Sequence, residues 1–475
     1  YMAETGGKIT LEDFVNGGKR HSTHTVWGET NLKYMRFVQN FVADFAAELV
    51  KIVHAYGKKA YMFYDDSWVG SEPYSDSFAR VGFDGIIKCV FSAYEARMCA
   101  GVPNVKTHEI RLHPYLFPTG LTGEPVFGKG GDPVTPAQKY WIAVRRALLR
   151  QSVDRIGLGG YLHLTEKFPD FCDYIESLAN DFRKIKTLHK SGAPYTLPVK
   201  VSVLTRWGAL RTWTCGGHYH EHPDLDLLNL LESLAGLPVQ VEFIDFSQLK
   251  KGRISGDILL VAGLKNSAYG GGNAWKDGEI YESVAAFVHS GGALICVNEA
   301  SETDGFSTNL RLAPLLGVDL DRGDFNCHGR YPAAAEREEI KTGAFAGKTQ
   351  AFIFSPDTKI LKNAVKNGEE NTFAITCRKA GIGAAAYMSS YKHTPENAAA
   401  LLALLKKLKE IAGAPLENYY LSDNPYVDCA YFEKEKKLVL ASGSLLRQSA
   451  KIALPGGETS FTLDPAETKI VSLTR

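Results

Sequence analysis

The chain has 475 residues, 45% hydrophobic and 23% charged, with 54 basic against 53 acidic side chains and a formal net charge of +1. That length holds two or three domains around a large core. With no long basic or acidic run and no apolar run of the roughly 20 residues a membrane helix needs, the composition argues against nucleic acid or a membrane as partner and for small-molecule chemistry.

Eight cysteines, at 89, 99, 172, 215, 296, 327, 377 and 429, are scattered without the close pairs of a zinc or redox site. In a chain of this size they read as reduced, buried small hydrophobes of a cytoplasmic protein. The sequence opens Tyr1-Met-Ala-Glu in polar, loop-like residues, which predicts a true N-terminus further upstream.

After a loop-like stretch over 1–30, the apolar positions Leu32, Met35, Val38, Phe41, Val42, Phe45, Leu49, Ile52 and Val53 recur at three and four residues. This is the stripe of an amphipathic helix over 31–56, expected to pack on a sheet. An aromatic strand begins at Ala60 and ends in Asp65 and Asp66, followed by a short helix near 75–80. Strands at 84–91, 107–112 and 154–161 then alternate with helices at 93–100, 135–150, where Thr135-Pro136 reads as the cap, and 170–188. Alternation of this kind means a parallel sheet with right-handed crossovers. A free-standing four-strand sheet is one form of it, but the polar residues inside the strands argue for half of a closed (β/α)8 barrel whose mouth is a pocket. The other half is expected before Tyr1.

A Pro- and Gly-containing linker over 190–198 separates this partial TIM barrel (1–192) from a second α/β domain (197–413). Strands at 199–204, 239–244, 257–261 and 293–297, helices at 224–234 and 279–289, and a Leu-rich helix at 395–412 suggest an open sheet of flavodoxin-like or amidotransferase-like type. Cys296 stands where an amidotransferase nucleophile would, but Ile295 and Val297 are not the glycines a sharp elbow needs, so it reads as a buried thiol. Gly270-Gly-Gly272 lacks a following Gly-Lys-Ser/Thr and reads as a flexible loop. Alternate histidines in His218-Tyr-His-Glu-His222 have no carboxylate-rich cluster beside them, so an exposed polar loop is expected and no metal site. Residues 414–475 switch to short alternating strands with turns at Pro455-Gly-Gly457 and Asp464-Pro465, a small structural β domain.

Chemistry is expected at the C-terminal ends of the barrel strands. Neighbouring strand residues face opposite ways, so only one of Asp65 and Asp66 can reach a shared pocket. In Thr107-His-Glu-Ile-Arg-Leu-His-Pro-Tyr115, Ile110 and Leu112 share one face and Glu109, Arg111 and His113 the other. With the apolar face against helices, the charged face looks inward. Arg111 and His113 then form an anion site suited to phosphate or carboxylate, or Arg111 and Glu109 form a structural ion pair. Lys88 either adds a second cation to the pocket or lays its stem along the barrel wall with its ammonium at the rim. Trp68 and Tyr115 offer aromatic surface for a sugar ring or for core packing.

The run Tyr64-Asp-Asp-Ser-Trp-Val-Gly-Ser-Glu-Pro73, then Arg111-Leu-His-Pro-Tyr-Leu-Phe-Pro118, then Asp154-Arg-Ile-Gly-Leu-Gly-Gly-Tyr161 with Phe168-Pro-Asp-Phe171, resembles the galactoside phosphorylases of glycoside hydrolase family 112. That family includes lacto-N-biose, galacto-N-biose and galactosyl-rhamnose phosphorylases. The resemblance is close over the barrel part and looser over the two later domains. It implies inverting phosphorolysis of a β-galactoside disaccharide by inorganic phosphate, giving α-D-galactose 1-phosphate and an acceptor sugar, with no metal or organic cofactor. It assigns Asp66 as general acid, Arg111 as a phosphate ligand and Tyr115 to the same pocket. Asp65, Ser67 and the run 88–97 look more like the galactosyl-rhamnose branch than the N-acetylhexosaminide branch.

Phosphate is already an anionic nucleophile, so an acid for the leaving oxygen and a cationic cradle suffice. Two other readings stand beside this one. A glycosidase on the same barrel would use Glu72 or Glu109 as base or nucleophile. A catalytically silent carbohydrate-binding fragment would follow from the absent half-barrel. A barrel carrying an α/β domain is also compatible with a homodimer.

Overall fold

The computed structural model describes residues 1, 3, 6–8, 10, 29–63, 80–205, 226–265, 270–323, 335–343, 351–366 and 369–473. They form two compact units. One comprises Arg36–Tyr195, Ala235–Pro238 and Asn418–Arg475, the other Tyr1–Met35, Thr196–Leu234 and Val239–Glu417.

In the barrel part, helix α1 (Glu29–Ala55) precedes β1 (Tyr61–Phe63) and β2 (Gly85–Val90). There follow α2 (Ala93–Ala100), β3 (Thr107–Leu116), α3 (Val134–Leu148), β4 (Arg155–Gly160) and α4 (Pro169–Ser191). The four strands are parallel and lie in chain order β1-β2-β3-β4. Local signals set the helix starts. Ser92 and Glu95 close a reciprocal capping box on α2, which satisfies donors a free helix end leaves open. On α3 the work falls to Asp132, whose carboxylate accepts from the Val134 and Thr135 amides at 2.9 and 3.2 Å, rather than to Thr135. Asp84 ties the sheet's lower edge together, accepting from the Ala60 amide and from His54 Nε2 at 2.9 and 2.8 Å.

The face of α1 that is buried differs from the expected one. Ala43, Ala46 and Val50 pack with Val81, Ala60 and Phe83, while Phe41, Phe45, Leu49 and Ile52 of the predicted stripe are 49–61% exposed. Small side chains let the helix backbone approach its neighbours closely, and periodicity weighted by side-chain size points the wrong way here.

The second unit holds a seven-stranded mixed sheet. Its strands are β5 (Lys200–Thr205), β6 (Gln240–Asp245), β7 (Ile258–Gly263), β8 (Ala293–Asn298), β11 (Lys359–Lys366), β12 (Glu369–Ala380) and β13 (Gly383–Met388). A two-stranded pair, β9 (Val318–Leu320) and β10 (Ala351–Ile353), stands apart from it. The sheet order is β11-β12-β13-β8-β7-β5-β6, with the β11–β12 and β12–β13 pairings antiparallel and the rest parallel. Helices α5 (Asp226–Gly236), α6 (Gly278–His289) and α7 (Pro395–Ile411) accompany it. Every residue of β7 and β8 is buried, as their unbroken apolar runs require of strands covered on both faces.

Cys296 is fully buried and donates to the Ala300 carbonyl at 3.2 Å, and burial pushes its thiol up to about 12. Gly270-Gly-Gly272 is packed rather than loose. Trp275 Nε1 donates to the Gly270 carbonyl at 2.7 Å, and a Cβ on Gly271 would collide with the Phe246 ring and the Trp275 indole. Glycine serves there for close approach.

The C-terminal strands are β14 (Val427–Phe432), β15 (Lys437–Ser442), β16 (Gln448–Leu454), β17 (Gly457–Leu463) and β18 (Thr468–Ser472). They form an antiparallel sheet β14-β15-β18 and a hairpin β16-β17. The hairpin turns on Pro455 and Gly456, the latter at φ 99°, the pairing a type II turn demands. This small β domain is not separate from the barrel part. Leu149, Ile185 and Leu188 share one apolar cluster with Ala430, Phe432, Val439 and Ala441. Arg145, 1% exposed, donates to the Ala466 and Ser442 carbonyls and to Thr468 Oγ1 at 2.6–2.8 Å. Arg150 Nη2 donates to the Cys429 carbonyl at 2.8 Å. Among the described residues no helix is long and apolar enough to cross a membrane.

Candidate active site

Strand β3 has the alternation read from its sequence. Ile110 and Leu112 are 0% and 3% exposed, and the parallel register sets Ile110 beside Lys88 of β2 and Ile156 of β4. On the other face the register aligns Phe63, Ile87, Glu109 and Arg155 in one layer and Cys89, Arg111 and Gly157 in the next.

Glu109 sits between two arginines. Its Oε1 lies 2.8 Å from Arg111 Nε and its Oε2 lies 3.4 Å from Arg155 Nε. Arg111 Nη1 donates to the Leu158 carbonyl of β4 at 2.7 Å. The Arg155 guanidinium lies 5.0 Å from the Tyr61 ring centroid, and that of Arg111 6.0 Å from Phe63. Among the described residues, two arginines flank this one carboxylate across the two layers, an excess of one positive charge, the sign that suits an anionic ligand. The ion pair and the anion site read as alternatives in the sequence are therefore compatible in one geometry.

Gly157 and Gly159 of β4 provide the floor. A Cβ on Gly157 would stand 3.3 Å from the Arg111 side chain, and one on Gly159 3.5 Å from the Tyr115 ring. His113 is sandwiched between Phe91 and Tyr115, with ring centroids 3.6 and 3.8 Å away. Tyr140 of α3 closes the cluster at 5.2 Å from His113, and burial raises the pKa of its phenol. Beyond it Tyr115, Phe117 and Tyr161 continue an aromatic series edge to face, the last two exposed. A cationic fork beside flat aromatic surface can hold an oxyanion and a sugar ring together.

On β3 the structure sets Arg111 against Glu109 and Tyr115 against His113, and it does not bring Lys88 to them. Lys88 is 1% exposed and shares the face of Ile110. Its charge acts on the buried Cys99 of α2, whose thiol burial pushes up to about 12. It is neither a pocket cation nor an ammonium at the rim. Asp66 and Trp68, with Asp65, Ser67 and Glu72, lie outside the described residues, as does His218-Tyr-His-Glu-His222. Sequence reasoning assigned no role to Phe91, Tyr140, Arg155, Gly157 and Gly159. Alternate glycines in a strand were the available signal, since they mark close approach of a neighbour.

Family models cover most of the chain. The lacto-N-biose phosphorylase N-terminal TIM barrel domain matches residues 1–197, the central domain 200–407 and the C-terminal domain 420–471. The chain belongs to the lacto-N-biose phosphorylase family. It is 46% identical over 478 residues to D-galactosyl-β-1→4-L-rhamnose phosphorylase of Lachnoclostridium phytofermentans, covering 100% of this chain and 65% of that relative. A 1,3-β-galactosyl-N-acetylhexosamine phosphorylase of the same organism is 29% identical, over 99% of this chain and 65% of the relative. The enzyme of that name from Bifidobacterium longum subsp. longum is 35% identical over 68% of this chain and 43% of its own. The chain thus spans about two thirds or less of the length of these relatives. Among solved structures, a cold-adapted β-galactosidase from Rahnella sp. R3 superposes with a TM-score of 0.52 at 14% identity, over 93% of this chain and 68% of that one. That likeness concerns the fold alone, a TIM-barrel-like N-terminal part.

Proposed function

We propose that this chain carries the chemistry of an inverting galactoside phosphorylase. Inorganic phosphate attacks the anomeric carbon of a β-galactoside disaccharide, a C–O bond to phosphate forms as the glycosidic C–O bond breaks, and the leaving oxygen takes a proton. The products are α-D-galactose 1-phosphate and the acceptor sugar. The observation that carries this reading is the Arg111 guanidinium, held on the inner face of β3 by Glu109 and the Leu158 carbonyl in a chain whose relatives are named phosphorylases.

In this reading Arg111 binds phosphate, and the Tyr115 ring, backed by His113, faces sugar. Asp66 supplies the proton, which the newly formed phosphate ester returns. Rhamnose is the proposed acceptor, supported by 46% identity to the galactosyl-rhamnose enzyme against 29% and 35% to the N-acetylhexosamine enzymes. Glu109 with both oxygens against arginines is a poor base or nucleophile, which disfavours a hydrolase built on it. A cytoplasmic location is part of the same proposal, in keeping with eight scattered cysteines that show no paired close spacing.

The test is galactose 1-phosphate release by the complete gene product from galactosyl-β-1,4-rhamnose and from lacto-N-biose, with and without phosphate. Phosphate-dependent release, faster from the rhamnose disaccharide, is expected. Release of free galactose without phosphate would overturn the reading.

A further inference from the structure

We propose that Glu109 is a positioning residue for Arg111, fixing which edge of the guanidinium meets the phosphate; this rests on the reading of Arg111 as phosphate ligand. Glu109 is 7% exposed and lies one layer below Arg111 on the same face of β3. It spans two arginines, with Oε1 at 2.8 Å from Arg111 Nε and Oε2 at 3.4 Å from Arg155 Nε. Arg155, itself lying over the Tyr61 ring, draws the far oxygen away from Arg111.

A guanidinium offers five N–H donors in a rigid plane. The Nε edge of Arg111 lies against Glu109, and one Nη1–H goes to the Leu158 carbonyl at 2.7 Å. The floor at Gly157 leaves room for the plane to lie flat on β4. Nε meets Glu109 Oε1 as an ion-pair contact without hydrogen-bond geometry, so Glu109 restrains the guanidinium by charge, and the Nη N–H groups not given to Leu158 are the ones left to meet an oxyanion. Without Glu109 the side chain keeps its charge but loses that restraint. Orientation is then recovered only at the cost of side-chain entropy on binding.

A carboxylate among arginines has a second possible role, as a mere counter-charge, and the two predict opposite signs. As a counter-charge, Glu109 weakens anion binding, because its removal adds one positive charge to the local excess among the described residues. As a positioning residue it strengthens binding, because its removal frees Arg111 to wander.

The experiment measures initial rates of the complete gene product against phosphate at saturating disaccharide for Glu109→Ala, Glu109→Gln and Arg111→Ala. For Glu109→Ala the phosphate KM should rise about tenfold while kcat at saturating phosphate changes by less than about threefold. Glu109→Gln keeps one acceptor but cannot hold both arginines, and its phosphate KM should rise by about threefold. If the alanine variant does not fold, the near-isosteric glutamine variant decides. An unchanged or lower phosphate KM in the Glu109 variants, with a raised one in Arg111→Ala, overturns the positioning role. A phosphate KM unaffected by Arg111→Ala overturns instead the assignment of Arg111 as phosphate ligand.

Discussion

Gly157 stands directly across from Arg111 in the parallel register of β3 and β4, and a Cβ at that position would come within 3.3 Å of Arg111 Cδ and Nε. A contact that close must be relieved by the arginine, because its partner is a strand backbone. Gly157→Ala should therefore tilt the guanidinium and raise the phosphate KM by about fivefold, with little change in thermal stability. Gly159→Ala, whose Cβ would meet the Tyr115 ring at an ordinary 3.5 Å, should have the smaller effect on phosphate. The phosphate and disaccharide KM values of the two variants check this.

Arg111→Lys keeps the charge and loses the planar fork. The loss of a charge-assisted bidentate contact is worth roughly 1.5–3 kcal/mol, so phosphate binding should weaken by about 10- to 100-fold. The disaccharide KM should move far less. Equal losses on both substrates would make Arg111 a structural residue.

Asp66→Asn removes the proposed proton donor and keeps the side chain's size. Phosphorolysis should fall by a factor on the order of 100 to 10,000, with an unchanged circular-dichroism spectrum and melting curve. Activity retained in Asp66→Asn and lost in Asp65→Asn would move the role one residue back.

Arg145 should matter for stability and not for chemistry. It is buried, with burial lowering its pKa, and it satisfies the Ala466 and Ser442 carbonyls of the β domain. Arg145→Met leaves those acceptors without their charged donor, at a cost of about 2–4 kcal/mol. Urea unfolding should show the midpoint fall while the KM values of the remaining folded enzyme hold.

Asp84 gives the barrel part an acid-sensitive joint. Its carboxyl is held below the ordinary range, first by the bond from His54 and then by the Ala60 amide. A depressed folded-state pKa contributes stability that is present above the unfolded value, near pH 4, and is lost as pH falls through the folded one. Asp84→Asn should lower the melting temperature at pH 7, and its difference from wild type should narrow as pH falls below about 4.

Much of this arrangement is visible in the chain before folding. The β-α alternation from Ala60 to Ser191 places four parallel strands, and the split of Glu109, Arg111 and His113 from Ile110 and Leu112 follows from period two. Lys88 was not placeable, because Ile86, Ile87, Cys89 and Val90 are apolar on both faces of β2 and only the register against β3 assigns its side. Arg145 and Arg150 look like surface residues of an amphipathic helix, and the β domain that buries them lies some 280 to 320 positions further on. The antiparallel strands β11 and β12 carry mixed polar sequence with register shifts, which dilutes the alternation a reader looks for. The assignment of Asp66 rests on resemblance alone, since two adjacent acids at a strand end do not say which one works, and both lie outside the described residues.

The measurement that bears most directly on phosphorolysis is the anomeric configuration of the first sugar product, followed by 31P and 1H NMR on the complete gene product with galactosyl-β-1,4-rhamnose and inorganic phosphate. A single displacement by phosphate predicts α-D-galactose 1-phosphate from the first turnover. β-D-galactose 1-phosphate would require a covalent galactosyl-enzyme and a second carboxylate, and free galactose would make water the nucleophile; either result would contradict the account.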